Sequence, residues 1–313
     1  MTGAFFCWGA LLVDMAWLSC RKFVWSQNFN RLASHLPFLK VRKILYTTPQ
    51  PFPYRGNELV AVKVLSSKDD KDFKYIQGII YKFTQIRDKD WYDAQKGIPL
   101  ENEEDKPNID IKRIFPNLTV TYFCFIPQGH RFFIITKYKD FNISILYFAK
   151  TLKKLLNRDY LIEKYGDVNV SIETDKKSIE EILQMDTLSR LTIRISLPND
   201  DDVSYLEQEI VNRLKRQNSI KIDEILVAGK GKSIIPDGIT KGFMNLALSN
   251  GYIIAKGIEN DTHITKKSLD NSIQYNDKYD TEHESLWNKL LDLARSRLPF
   301  FKSRQKNDDD ANK

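Results

Sequence analysis

The chain has 313 residues, of which 42% are hydrophobic, 12% aromatic and 28% charged. That apolar share supports a sizeable core, most simply in two domains, and excludes a chain too polar to fold. The net charge of +7 is uneven: residues 1–160 carry 25 Lys+Arg against 15 Asp+Glu (+10), and residues 161–313 carry 23 against 26 (−3). A basic half beside a near-neutral half points to a polyanionic partner.

From Ala4 to Leu18 the chain is nearly all apolar, interrupted by Asp14 and followed by Arg21 and Lys22. A signal peptide places positive charge before its apolar stretch, and none is there. A membrane-spanning helix takes about 20 apolar residues, more than this run supplies. Three readings stay open: a core or interfacial segment, an extension ahead of a true start at Met15, and a membrane contact through residues 4–18. Asn28 to Leu39 has Leu32, Leu36 and Leu39 at helical spacing, and Pro49, Pro51 and Pro53 mark a loop. Leu59–Leu65, Tyr75–Ile86, Thr119–Pro127 and Arg131–Lys137 are rich in β-branched and aromatic residues and are expected to be strands. Gln128-Gly129 suits a hairpin turn. Between Asp88 and Pro116, the acidic run Glu101–Asp105 suits a long exposed loop. Phe141 to Arg158 has helical periodicity.

The second half alternates more regularly. Strands are expected at Asp167–Glu173, Leu188–Leu197 and Tyr252–Lys256. Ser178-x-x-Glu181, Ser204-x-x-Glu207 and Thr281-x-x-Glu284 have capping-box spacing before apolar helix faces. Asp200–Asp202 precedes a helix ending in Arg213, Lys215 and Arg216, a charge order that complements the helix dipole. Pro236 suits the first turn of the next helix, and Asn250-Gly251 its C-terminal cap. The predicted fold is α+β. An apolar segment (1–25) is followed by a basic, mostly antiparallel-sheet domain with a basic helix (26–160). A layered α/β unit (161–300) and a disordered, charged tail (301–313) complete the chain.

Cys7, Cys20 and Cys124 form no Cys-x-x-Cys pair, and Cys124 lies in an apolar run, which suits a buried thiol in a reducing cytoplasm. His35, His130, His263 and His283 lack metal-ligand spacing. Gly231-Lys232-Ser233 follows the apolar run Ile225–Ala228, as a phosphate-binding loop does. The glycine required five positions earlier is Leu226, however, and Ile234-Ile235-Pro236 delay the helix. No cofactor, metal or catalytic residue is expected. The alternative is a metal-dependent nuclease, for which Asp110-x-Lys112 and Asp175-x-Lys177 supply an acidic-x-Lys piece. Asp175 also stands where a helix cap is expected.

The leading expectation is non-enzymatic, sequence-tolerant binding of nucleic acid, DNA ahead of RNA. Lys150, Lys153, Lys154 and Arg158 fall on one helical stripe, with Ile145, Leu152 and Leu156 on another side. A solvated helix face accounts for the same pattern. Lys40, Arg42 and Lys43 form a second basic cluster. Lys230 and Lys232 lie in a glycine-containing loop whose amides can approach an anion, or which is only a turn. A homodimer suits a duplex partner. A scaffold for a neighbouring gene product is a further reading.

Three blocks carry a family resemblance. They are Gln77–Thr84 with Trp91-Tyr92; Tyr165–Val170 with Leu191–Ile195 and Pro198-Asn199-Asp200; and Gly231–Asp237 with Asn250-Gly251-Tyr252. Together they resemble the bacterial domain-of-unknown-function family four-seven-four-seven over about residues 59–294. The resemblance implies no catalytic residues. In size and α+β layout the chain is also loosely similar to the phage-exclusion protein RexA and related DNA-binding defence proteins, which implies a phage-defence sensor or effector.

Overall fold

A computed structural model describes residues 15–27, 51–69, 74–86, 91–100, 108, 110, 112–127, 130–138, 141–165, 168–197, 205–280 and 284–296. The expected helix at 28–39, the cluster Lys40, Arg42 and Lys43, the Gln128-Gly129 turn, the acidic run and the tail lie outside them.

The fold is α+β and is organised around two antiparallel sheets. The larger contains β1 (Met15–Gln27), β2 (Phe52–Arg55), β3 (Glu58–Asp69), β4 (Lys74–Thr84), β7 (Thr119–Ile126), β8 (Arg131–Tyr138), β9 (Phe141–Asn142), β10 (Val168–Ile172) and β15 (Gln274–Asp280). Its main path runs β10-β1-β8-β7-β4-β3-β2. The long strand β1 lies inside this sheet. It pairs with β8 on one side, and on the other with β15 and then β10.

β7 and β8 are buried on both faces, which is why they read as continuous apolar runs. Phe123, Phe125, Phe132 and Ile134 turn to one face, where α1 (Ile145–Leu156) packs through Ile145, Phe148, Leu152 and Leu156. Cys124, Ile126, Phe133 and Ile135 turn to the other, covered by Leu290, Leu291 and Ala294 of α6, residues 286–296. Burying such side chains contributes roughly 1.5–3 kcal/mol each, so these two helices hold the sheet between them. Strands β10 and β15, beyond residue 160, pair within the first sheet, and helix α6 packs on it.

The basic helix is shorter than its periodicity suggests. Phe141–Asn142 pairs with the end of β8, and the helix starts only after Ser144. Between β4 and β7, β5 (Tyr92–Asp93) and β6 (Ile98–Pro99) form a small hairpin where a long loop was expected. After α1 come α2 (Asp159–Tyr165), β10 and α3 (Lys177–Leu183). Ser178 does not cap α3 but lies inside it, and the Asp175 carboxylate accepts the Lys177 N–H at 2.9 Å.

The second sheet has the order β12-β11-β13-β14, from β11 (Thr187–Ser196), β12 (Lys221–Val227), β13 (Gly251–Glu259) and β14 (Thr262–Lys267). Helices α4 (Tyr205–Arg216) and α5 (Gly238–Asn250) pack on one of its faces. The core there joins Ile210, Val211, Phe243, Met244 and Ala247 to Leu191, Ile193, Ile195, Ile253 and Ala255. Pro236 precedes α5 rather than opening it, and Asp237 is the N-cap. At Gly251, as at Gly257, β13 passes close to the backbone of β11. A Cβ at Gly251 meets the Arg194 carbonyl oxygen, so only glycine fits without a shift.

Candidate nucleic-acid interface

The helix α1 is anchored by β2. The buried Tyr54 hydroxyl accepts the Ser144 N–H at 2.6 Å, satisfying the backbone at the helix entry, and burial pushes this phenol above its ordinary pKa. The Thr151 hydroxyl donates to the Pro53 carbonyl at 3.3 Å. With its apolar side fixed in the core, α1 presents Leu146, Tyr147, Lys150, Lys153 and Lys154 to solvent.

Tyr147, Lys150 and Lys154 follow one another by three and four residues along this face, and Lys150 to Lys154 covers about 6 Å at 1.5 Å per residue. Arg158 lies beyond the helix end, after the C-cap Asn157. The Lys150 ammonium lies 5.7 Å from the centre of the Tyr147 ring, and the Arg55 guanidinium lies 5.1 Å from it. At the other end the Arg158 guanidinium lies 4.8 Å from the centre of the Phe52 ring. Lys153 donates to the Asn169 side chain at 3.0 Å. Arg55, Lys150, Lys153, Lys154 and Arg158 have no ion pair with any described carboxylate. Lys153 and Lys154 also stand in the last turn, where the helix dipole favours cations.

Sequence periodicity located Lys150, Lys153, Lys154 and Arg158 on one stripe; the structure leaves the three lysines exposed on α1 and sets Arg158 beyond its end, beside Phe52 of β2. Periodicity missed Arg55, which reaches the patch from a strand far upstream. Tyr147, also on this face, is 40% exposed and flanked by two cations.

Lys230 and Lys232 lie elsewhere, in the exposed β12–α5 connection on the second sheet. The connection is built as a turn. Gly231 has φ +70°, and the Lys232 N–H donates to the Gly229 carbonyl at 2.9 Å. The Ser233 hydroxyl accepts the Leu188 N–H at 2.9 Å, and the Ile234 N–H donates to the Leu188 carbonyl. Asp237 already caps α5 by accepting the Thr240 N–H at 2.7 Å. That hydrogen bond holds the Asp237 carboxyl below its ordinary pKa. A phosphate-binding loop needs this hydroxyl and this helix N-terminus for its ligand, and both are engaged within the fold. Among the described residues, no hydrogen bond, ion pair or ring contact joins this turn to α1.

Asp175 is a helix-entry residue, and Asp110 pairs with Arg113 at 3.3 Å in an exposed turn. Burial pushes the Glu224 carboxyl above its ordinary pKa, and the Thr240 hydroxyl donates to it at 3.3 Å, linking β12 to α5. No group of three or more His, Cys, Asp or Glu side chains placed to hold a metal occurs among the described residues. No helix among them is long and apolar enough to cross a membrane.

Comparison with known proteins gives one family match: residues 39–295 match the family described as Domain of unknown function (DUF4747). No curated protein matches the chain.

Proposed function

We propose that this chain, which belongs to the DUF4747 domain-of-unknown-function family, is a non-enzymatic, sequence-tolerant nucleic-acid-binding protein that contacts phosphates through α1 and β2. One observation carries the reading. Lys150, Lys153 and Lys154 on α1, Arg158 just past its end and Arg55 on the neighbouring strand have no described carboxylate paired to them. A cationic surface of this kind gains affinity from phosphates by releasing counterions. DNA is proposed ahead of RNA. A cytoplasmic location, a homodimeric state and a role in phage defence are proposed with this reading.

Fluorescence anisotropy with labelled duplex DNA tests it. With all five cations engaged, log K falls with log salt at a slope of about −4.5, a roughly 500-fold loss between about 50 and 200 mM. Absence of binding at the lowest salt refutes the proposal.

A further inference from the structure

We infer that the open face of the second sheet is a platform for single-stranded nucleic acid. α4 and α5 cover one face of β12-β11-β13-β14. The opposite face carries Arg190, Thr192 and Arg194 of β11, Tyr252, Ile254 and Lys256 of β13, and Lys267 of β14, and none of these belongs to a hydrophobic core. Arg190, Lys256 and Lys267 are exposed; Thr192, Arg194, Tyr252 and Ile254 are half-buried.

Two features point to the occupant. First, Arg190 and Lys256 are direct cross-strand partners. Like charges in that position repel, and neither has an ion pair with a described carboxylate to offset the repulsion. A bound anion removes it. Lys267, opposite Ile254, extends the positive charge to the next strand. Second, the cations are interleaved with surfaces that stack. Asp223 on β12 accepts two hydrogen bonds from Arg194, at 2.6 and 2.9 Å, and holds that guanidinium 5.2 Å from the centre of the Tyr252 ring. The planar arginine and the ring are thus fixed before any ligand arrives, with Ile254 beside them.

Alternating cations and flat surfaces match a strand whose phosphates and base faces are both accessible. A duplex stacks its bases within itself, so its base faces are not available to Tyr252 and the Arg194 guanidinium. An acidic peptide matches the charge but offers no base faces. Four strands about 4.8 Å apart span about 14 Å, room for a short segment. The surface lies on a different sheet from α1 and stands whether or not α1 binds duplex.

The test measures binding of a labelled oligothymidylate, with duplex DNA in parallel. Arg190→Glu/Lys256→Glu preserves a like-charge pair, so its effect on the strand pairing stays similar in kind while the sign toward phosphate reverses. Loss of two phosphate contacts lowers single-strand affinity by at least about 25-fold at about 0.1 M salt. Lys267→Ala, at an exposed strand end, gives a milder loss and serves if the double variant does not fold. Lys150→Ala/Lys154→Ala lowers duplex affinity, and adding the sheet substitutions to that variant still lowers single-strand affinity, which separates the sheet from any contribution of α1. The inference is overturned if the wild-type protein does not bind oligothymidylate at low salt. It is equally overturned if the sheet variants bind it as the wild type does, or if poly-glutamate of matched length competes as well as the oligonucleotide. A failure of duplex binding alone removes the α1 proposal and leaves this one standing.

Discussion

Replacing Lys150 and Lys154 with alanine separates a phosphate-binding strip from a merely solvated helix face. Both side chains are exposed, and neither has an ion pair with a described carboxylate. Lys150 gives up its place 5.7 Å from the Tyr147 ring centre, worth about 0.5–1 kcal/mol at an exposed site. Lys154 gives up a last-turn interaction with the helix dipole, about 0.3–1 kcal/mol, and the better helix propensity of alanine offsets part of both. The fold therefore loses roughly 1 kcal/mol, and the melting temperature falls by only about 2–4 °C. Binding changes far more. Removing two of five phosphate contacts lowers the salt slope from about −4.5 to about −2.7. If the lysines act through counterion release alone, the two proteins converge near about 1 M salt and differ by about 60-fold at about 0.1 M. Anisotropy titrations across salt, with thermal unfolding alongside, read both quantities. An unchanged slope refutes the reasoning, as does an affinity loss that persists at the highest salt.

The remaining expectations concern the frame that holds these surfaces. Arg131 on β8 is fully buried, with its Nε 3.6 Å from the Glu173 carboxylate. Glu173→Ala removes that counter-charge and costs about 3–5 kcal/mol, a fall of about 10 °C or more in melting temperature; a shift below about 2 °C contradicts the buried pair. Asp237→Ala removes the α5 cap and lowers the melting temperature at neutral pH. Because the folded-state pKa of Asp237 lies below its unfolded value, its contribution is present above the ordinary carboxylate pKa and is lost as pH falls through the folded value. Wild type and variant therefore converge in acid, and a difference that is constant with pH rejects the assignment. Gly251→Ala forces a Cβ against the Arg194 carbonyl, costing about 1–3 kcal/mol and displacing Tyr252 from its partner. Oligothymidylate affinity unchanged from wild type refutes that coupling.

What could be read in advance depended on whether the signal was local. β7 and β8 were legible because both of their faces are buried, and α1 because the period of its apolar residues matches a helix. The place of Met15–Gln27 inside the large sheet was not legible, since its partners β8, β10 and β15 lie more than a hundred residues away and periodicity says nothing about pairing. The candidate surfaces divide in the same way. Lys150, Lys154 and Arg158 come from one segment and appear as a stripe, whereas Arg55 joins them only because β2 packs along α1. The pair Arg190–Lys256 is invisible until β11 and β13 are set in register, and no motif marks either residue. One local clue to that register lay in Asn250-Gly251-Tyr252, which the sequence suggested as a helix end leading into a strand. Gly251 does end α5, but it also lets β13 approach the Arg194 carbonyl, and that approach places Tyr252 opposite Arg194 and Lys256 opposite Arg190. The same glycine thus links a stretch that carries the family resemblance to the geometry of the open sheet face.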